Sequence, residues 1–292
     1  MTDTTAVPTT LRREWAAVAA AMAFLVVGGA WLVALTLDGQ GAVLLEVLAD
    51  LIRLSARGIV DFADAIWIAT GFASVRWLTP VAAVSAFQLW FAYRHLDANR
   101  PDGRDTPVPV HRSLGIPNLI TLGRGALVAA VVGFGTLTPR PEIAWLPAVL
   151  YGAACGLDSV DGFLARRTER TTLLGAKLDM AIDTTGFFVA PVVGVLWDQL
   201  PVWYLSLSVA RYLFKLGCWN RRRQGKPVFD LPPSLLRRPL AGTQMAFITF
   251  ALMPIAPLSI VTPLAAVVLT ASLAVFVRDS LVVAGVYRTG DM

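Results

Sequence analysis

The stretch "GLDSVDGFLARRTERTTLLGAKLDMAIDTTG", residues 156–186, places four aspartates, Asp158, Asp161, Asp179 and Asp183, in and beside segments apolar enough to enter a bilayer. An ionisable side chain at membrane depth is costly unless something compensates it, so the four acids require an account. Asp158, Asp161, Gly162, Ala165 and Arg166 recur at i, i+3, i+4, i+7 and i+8, which is one stripe of a helix. Gly175, Asp179 and Asp183 recur at i, i+4 and i+8, again one stripe. The segment between them, "RTERTTLL" (167–174), is short enough to make the two helices antiparallel neighbours. Their stripes then face each other, and four carboxylates converge near one edge of the membrane.

The rest of the 292 residues agrees with a membrane setting. The chain is 56% hydrophobic and only 15% charged, with a mean hydropathy of +0.63. An all-α, polytopic membrane helix bundle is expected. Crossing a ~30 Å hydrocarbon layer takes about 20 residues of helix. Candidate runs are Trp15 to Leu37, Leu78 to Tyr93, Leu119 to Leu137, Ile143 to Leu157, Met180 to Trp197, Val202 to Trp219, Gln244 to Ile260 and Thr262 to Val277. The first follows Arg12 and Arg13 as a secretory signal would, but its apolar core exceeds the ~7–15 residues usual for a cleaved signal, and it reads as a retained helix. Cys155 and Cys218, both inside predicted spans and far from any CxxC spacing, read as packing residues.

The position of the positive charge matters more than its sum of +5. Basic residues gather in three loops: Arg100, Arg104 and Arg112; Arg166, Arg167, Arg170 and Lys177; then Arg221, Arg222, Arg223, Lys226, Arg237 and Arg238. By the positive-inside rule these loops face the cytoplasm. Topology and attraction to anionic lipid account for most of the basic residues, and no nucleic-acid partner is expected.

Residues 94–118, "RHLDANRPDGRDTPVPVHRSLGIPN", read as a cytoplasmic linker, with His95 and His111 solvated at its borders. Upstream, Glu46, Asp50, Arg53, Arg57, Asp61 and Asp64 follow at intervals of three or four along one helical face. The segment 42–69 therefore reads as an amphipathic helix in the interface, or as a membrane helix whose polar stripe docks elsewhere.

Four carboxylates cannot all stay ionised at close quarters without a strong positive partner. A hard divalent cation with oxygen ligands is the economical one, and Mg²⁺ commonly completes its shell with substrate phosphate and water. Gly162 and Ala165, on the acidic stripe, leave room for a flat or bulky ligand against the backbone. Arg166 at the end of that stripe offers the fork of donors a phosphate needs.

The eight positions Asp158, Asp161, Gly162, Ala165, Arg166, Gly175, Asp179 and Asp183 match in full the pattern DxxDGxxAR, eight residues, GxxxDxxxD. In this the chain resembles the CDP-alcohol phosphotransferases. Upstream "IPNLITLGRG", with Asn118, Thr121 and Arg124, is similar to the start of that family's first core helix. The resemblance covers roughly residues 113 to 286. It implies a six-helix catalytic core, placed at 118–292; outside it, composition gives a cytoplasmic linker at 98–117 and an amino-terminal membrane extension at 1–97, with two transmembrane helices plus the helix at 42–69.

The resemblance further implies transfer of a substituted phosphate from a CDP-linked donor, commonly CDP-diacylglycerol, to an alcohol hydroxyl with release of CMP. It casts Asp158, Asp161 and Asp179 as ligands of a Mg²⁺ or Mn²⁺ pair, with Asp183 contributing and serving as general base. Gly162, Ala165 and Gly175 would let cytidine lie close, and Arg166 with Asn118 or Thr121 would help place the nucleotide. A homodimer in a bacterial-type cell membrane, with the active site facing the cytoplasm, is expected.

Arg211 and Lys215 lie one turn apart with no acid in their span, which suggests an anionic ligand. Arg237 and Arg238 are placed like arginines that bind the acceptor phosphate in phosphatidylinositol phosphate synthases, and Arg124 is a further acceptor candidate. The acceptor so implied is a polyol phosphate, glycerol 3-phosphate or inositol phosphate. The competing readings are a divalent-cation transporter and an inactive scaffold.

Overall fold

The computed structural model describes residues 7–38, 72–101, 109–167, 171–229 and 236–286, without the side chains of Asp161, Phe163, Ala165, Arg166 and Arg238. Among the described residues there are eight α-helices and no strand: α1 (Thr9–Val33), α2 (Ala73–Arg94), α3 (Ile116–Phe134), α4 (Leu146–Arg167), α5 (Leu173–Leu196), α6 (Ser206–Arg223), α7 (Arg237–Ala251) and α8 (Leu258–Val283). The all-α expectation holds. The proposed amphipathic helix at 42–69 lies outside the described residues.

Among the described residues, four helical segments are long and apolar enough to cross a membrane: Thr9–Asp38, Ile116–Phe134, Leu173–Leu196 and Leu258–Val283. The expected run Gln244 to Ile260 is not one helix. α7 ends at Ala251, and the chain turns through 252–257 before α8 begins at Leu258. Pro254 and Pro257 explain the break, because neither can donate a backbone hydrogen bond.

The chain forms two compact units, Met1–Val189 and Ala190–Met292. In the first unit α1 packs on α2, α2 on α3, and α3 on α4. Glycines set the closeness of these contacts. A Cβ on Gly133 of α3 would lie 2.4 Å from Trp77 Cδ1, and one on Gly29 of α1 would lie 2.6 Å from Trp77 Cη2. The Trp77 indole, buried on α2, thus fits between two helices whose backbones approach because they lack side chains there.

Polar contacts fasten the same unit. Glu14 Oε2 accepts from the Leu114 backbone N–H at 2.8 Å. Thr10 Oγ1 donates to the Arg112 carbonyl at 3.0 Å, and Trp15 Nε1 to the Leu89 carbonyl at 3.2 Å. Beneath them Leu11, Ala92, Leu96, Ala98, Val110 and Leu114 join Leu122, Leu174 and Leu178 in one apolar cluster. The described ends of the polar segment after α2 are therefore packed structure. His95 is half-buried there, its Nδ1 2.8 Å from the Phe91 carbonyl.

The second unit holds α6, α7 and α8. Gln244 Nε2 of α7 donates to Ser272 Oγ of α8 at 2.6 Å, and both side chains are buried. In a helix pair with apolar surroundings, such a bond fixes register as well as adding stability.

Candidate active site

Three helices of the first unit bring the site together. α4 supplies Asp158, α5 supplies Asp179 and Asp183, and α3 supplies Arg124. The Arg124 side chain is only 2% exposed, so its charge needs partners within the protein. It has them: Nη1 donates to Asp158 Oδ1, and Nη2 donates to Asp179 Oδ1 at 2.8 Å and Asp183 Oδ1 at 2.7 Å. A planar fork of donors suits this bridging of carboxylates from two helices.

The aspartates remain 30–47% exposed. They are tied to a buried cation on one side and open on another. Three carboxylates against one guanidinium leave two formal negative charges unmatched within this set.

One carboxylate oxygen from each of Asp158, Asp179 and Asp183 lies within 4.8 Å of the others. Mg²⁺ holds oxygen ligands at about 2.0–2.1 Å, so opposed ligands in its shell stand roughly 4 Å apart. Excess negative charge, hard oxygen donors and this spacing fit a divalent cation. Asp161 shares α4 with Asp158, but its side chain lies outside the described residues, as do those of Ala165 and Arg166. Gly162 is half-buried on the same helix.

Of the expected nucleotide residues, Asn118, Thr121 and Gly175 lie in a second group at the foot of α3 and α5. Asn118 Nδ2 donates to the Leu114 carbonyl at 2.8 Å, Asn99 Oδ1 at 3.2 Å and Thr172 Oγ1 at 3.4 Å. Thr172 precedes α5, and its Oγ1 accepts from the Gly175 backbone N–H at 3.0 Å, capping the helix. Thr121 Oγ1 donates to the Pro117 carbonyl at 3.0 Å. Gly115, at φ 80°, admits the chain into α3 through a conformation that favours glycine.

The acceptor candidates other than Arg124 belong to the second unit. The Arg211 guanidinium carbon lies 5.9 Å from the centre of the Phe276 ring. Lys215 follows one turn later on α6. Arg237, the first residue of α7, pairs with Asp279 of α8. The side chain of Arg238 lies outside the described residues.

Sequence reasoning missed Thr172, Asn99, Arg278 and Asp279. For Thr172 a signal existed, a hydroxyl residue directly before an apolar helical run. For Asp279 the signal is an acid two residues beyond Val277, at the end of the last apolar segment.

Among curated proteins, the chain is 34% identical over 137 residues to a cardiolipin synthase (CMP-forming) of Streptomyces coelicolor, covering 44% of this chain and 61% of that protein. It is 34% identical over 100 residues to a CDP-diacylglycerol–glycerol-3-phosphate 3-phosphatidyltransferase of Yersinia enterocolitica, covering 33% and 52%. It is 36% identical over 100 residues to a CDP-diacylglycerol–inositol 3-phosphatidyltransferase of Candida albicans, covering 33% and 40%. The matches thus span between two fifths and three fifths of these relatives. No solved structure matches. The family model for CDP-alcohol phosphatidyltransferase matches residues 114–277, more than half of the chain and inclusive of all eight motif positions. The chain belongs to the CDP-alcohol phosphatidyltransferase family.

Proposed function

We propose that this protein transfers a phosphatidyl group from a CDP-linked lipid, CDP-diacylglycerol, to a hydroxyl of a polyol phosphate such as glycerol 3-phosphate or inositol phosphate, releasing CMP. The observation that carries the reading is the convergence of Asp158, Asp179 and Asp183 from two helices on the buried Arg124. Family membership and the phosphatidyltransferase relatives support it.

Asp158, Asp161, Asp179 and Asp183 would hold Mg²⁺ or Mn²⁺, as a pair. When bound, the metal supplies positive charge to phosphate oxygens and helps align an in-line displacement. Asp183 takes the proton from the acceptor hydroxyl as its oxygen forms a bond to phosphorus; the bond from phosphorus to the CMP oxygen breaks, and CMP leaves with that electron pair. Arg124 fixes Asp158, Asp179 and Asp183 relative to one another, so the base is aimed before substrate arrives. Gly162 and Ala165 leave the wall low for cytidine, Gly175 makes room for the Asn118 side chain beside that wall, and Arg166, Asn118 and Thr121 are assigned as polar neighbours of the nucleotide. Arg211, Lys215, Arg237 and Arg238 are assigned to the acceptor's phosphate.

The catalytic core in this proposal is 118–292, with 1–97 as the membrane extension and 98–117 between them. The protein is placed in a bacterial-type cell membrane as a homodimer, with the active site on the cytoplasmic side where the basic loops lie. The test is CMP release by purified protein given Mg²⁺ or Mn²⁺, CDP-diacylglycerol and a panel of alcohols and alcohol phosphates. CMP release with a phosphorylated polyol supports the proposal. No CMP with any acceptor, together with metal flux in liposomes, overturns it in favour of a transporter; no CMP and no flux leaves a scaffold.

A further inference from the structure

Within the second unit α6 and α8 lie side by side and leave a groove of about 370 Å³ between them. Its walls are two helical stripes, Leu213, Phe214 and Gly217 of α6 facing Leu273, Phe276 and Val277 of α8. Phe214 and Phe276 meet across it, their ring centres 6.2 Å apart. Nothing lies within 4 Å of where a Cβ on Gly217 would sit, so the missing side chain leaves the groove open at mid-length. Leu213 and Val277 are exposed along its lips.

The groove has a direction and a depth. Phe214 meets Phe276, and two turns further along both helices Arg221 reaches Ala284, so α6 and α8 run the same way. On α8 the lining extends over 273–283, about 16 Å of helix. α8 is long and apolar enough to cross a membrane, and one leaflet, half of a ~30 Å hydrocarbon layer, has the same depth. Trp219, exposed and with the Arg223 guanidinium carbon 5.0 Å from its ring centre, marks the interface level at the Arg221 end.

Arg221, which lines that end, is held without being neutralised. Its Nε and Nη2 donate to the Pro227 carbonyl at 3.3 and 3.1 Å, and Nη2 donates to the Ala284 carbonyl at 3.1 Å. These acceptors are neutral; the carbonyl end of α8 brings a partial charge of about half a unit, less than the guanidinium carries. Among the described residues no carboxylate pairs with Arg221, and Nη1 is left to donate to an anion. The sequence has no acid from 199 to 229, while Arg222, Arg223 and Lys226 add positive charge. Asp279 of α8 is committed to Arg237 and Arg278.

An apolar slot one leaflet deep with a fixed cation at its mouth is complementary to a phospholipid, chain inside and phosphate outside. We propose that the groove between α6 and α8 binds one anionic phospholipid of the surrounding leaflet, an acyl chain lying between the helices and the phosphate on Arg221. The occupant is a resident of the membrane and not the CDP-linked donor. The polar lining is Cys218, Arg221 and Ser280, which suits a phosphate and offers no side-chain amide or carboxylate to read a base.

The test titrates lipid-stripped, full-length protein in neutral detergent with phosphatidylglycerol, phosphatidylcholine, inorganic phosphate and CDP-diacylglycerol, counting bound lipid by native mass spectrometry. One phosphatidylglycerol per chain is expected, at about tenfold lower concentration than phosphatidylcholine, the size of one charge-assisted contact. Gly217→Leu, which places a side chain in the groove, should abolish this binding without lowering the melting temperature. Arg221→Gln should remove the preference for the anionic headgroup, and Arg221→Lys should keep most of it. Inorganic phosphate should not compete, because it has no chain for the groove.

Unchanged lipid binding in Gly217→Leu overturns the proposal, as does equal affinity for phosphatidylcholine or displacement of the lipid by phosphate. One-for-one displacement by CDP-diacylglycerol makes the groove part of the donor site and overturns it too. A wild-type dimer that Gly217→Leu turns into a monomer means that a second copy of the chain fills the groove, again against the proposal. If Gly217→Leu does not fold, the Arg221 variants decide: an anionic preference that survives Arg221→Gln sinks the assignment.

Discussion

Gly175 and Asn118 compete for one volume: a Cβ on Gly175 would lie 2.7 Å from Asn118 Oδ1 and 3.3 Å from Thr172 Oγ1. The glycine of the motif is thus matched to a side chain more than fifty residues away. Gly175→Ala should lower stability by about 1–3 kcal/mol, the usual cost of overpacking, because hydrogen bonds to Leu114 and Asn99 hinder Asn118 from swinging aside. Thermal melting of the detergent-solubilised variant checks this. Asn118→Ala in the same chain should recover part of the loss, and simple additivity of the two substitutions would refute the steric pairing.

Arg124→Gln removes the buried cation that bridges Asp158, Asp179 and Asp183. Breaking such a pair costs about 3–5 kcal/mol when fully buried; the half-exposed acids put this case toward the lower end. The variant's melting temperature should rise with added Mg²⁺ more steeply than that of wild type, since metal replaces a missing counter-charge. Equal metal dependence in both proteins would contradict the role given to Arg124.

Asp183→Asn should cut CMP release by about 10²-fold or more, the range for loss of a general base. Melting of that variant should stay close to wild type, because an amide can still accept from Arg124 Nη2. Full turnover would exclude Asp183 as base while leaving the rest of the site untouched.

Chelation with EDTA should abolish CMP release, with Mg²⁺ or Mn²⁺ restoring it and Ca²⁺ doing so poorly, since Ca²⁺ prefers ligands at about 2.3–2.6 Å and a larger shell. Turnover that persists in chelator would remove the metal from the mechanism.

Gly133→Ala tests the contact between the amino-terminal helices and α3. The added methyl would meet Trp77 Cδ1 at 2.4 Å, inside a buried ring that has little room to shift. A loss of about 1–3 kcal/mol is expected, and Gly123→Ala, where nothing lies within 4 Å, should cost little.

The acidic stripes were legible because 3.6-residue spacing makes Asp158 a partner of Asp161 and Asp179 a partner of Asp183 before any tertiary contact is known. The convergence of α4 and α5 followed from a short connection. Arg124 was different. Its position on α3 was visible, and a role at the acceptor phosphate was its natural assignment, but only the rotation of α3 against α4 and α5 reveals that it bridges three carboxylates. That rotation is set by packing of Gly125, Val128 and Ile182, whose apolar character names no orientation. Asp279 and Arg237 are 42 residues apart on separate helices, with no periodicity to link them. Charge alone shows that each needs a partner, never which one.

Arg124 also separates two properties that metal sites often merge. Many small metal-binding folds collapse when stripped, because nothing else offsets their ligands' repulsion. Here a resident cation, Arg124, offsets part of that repulsion whether or not metal is bound. If the proposed metal-dependent transfer holds, depletion of divalent ions should therefore silence this protein without unfolding it, leaving an intact pool whose activity returns as soon as supply recovers.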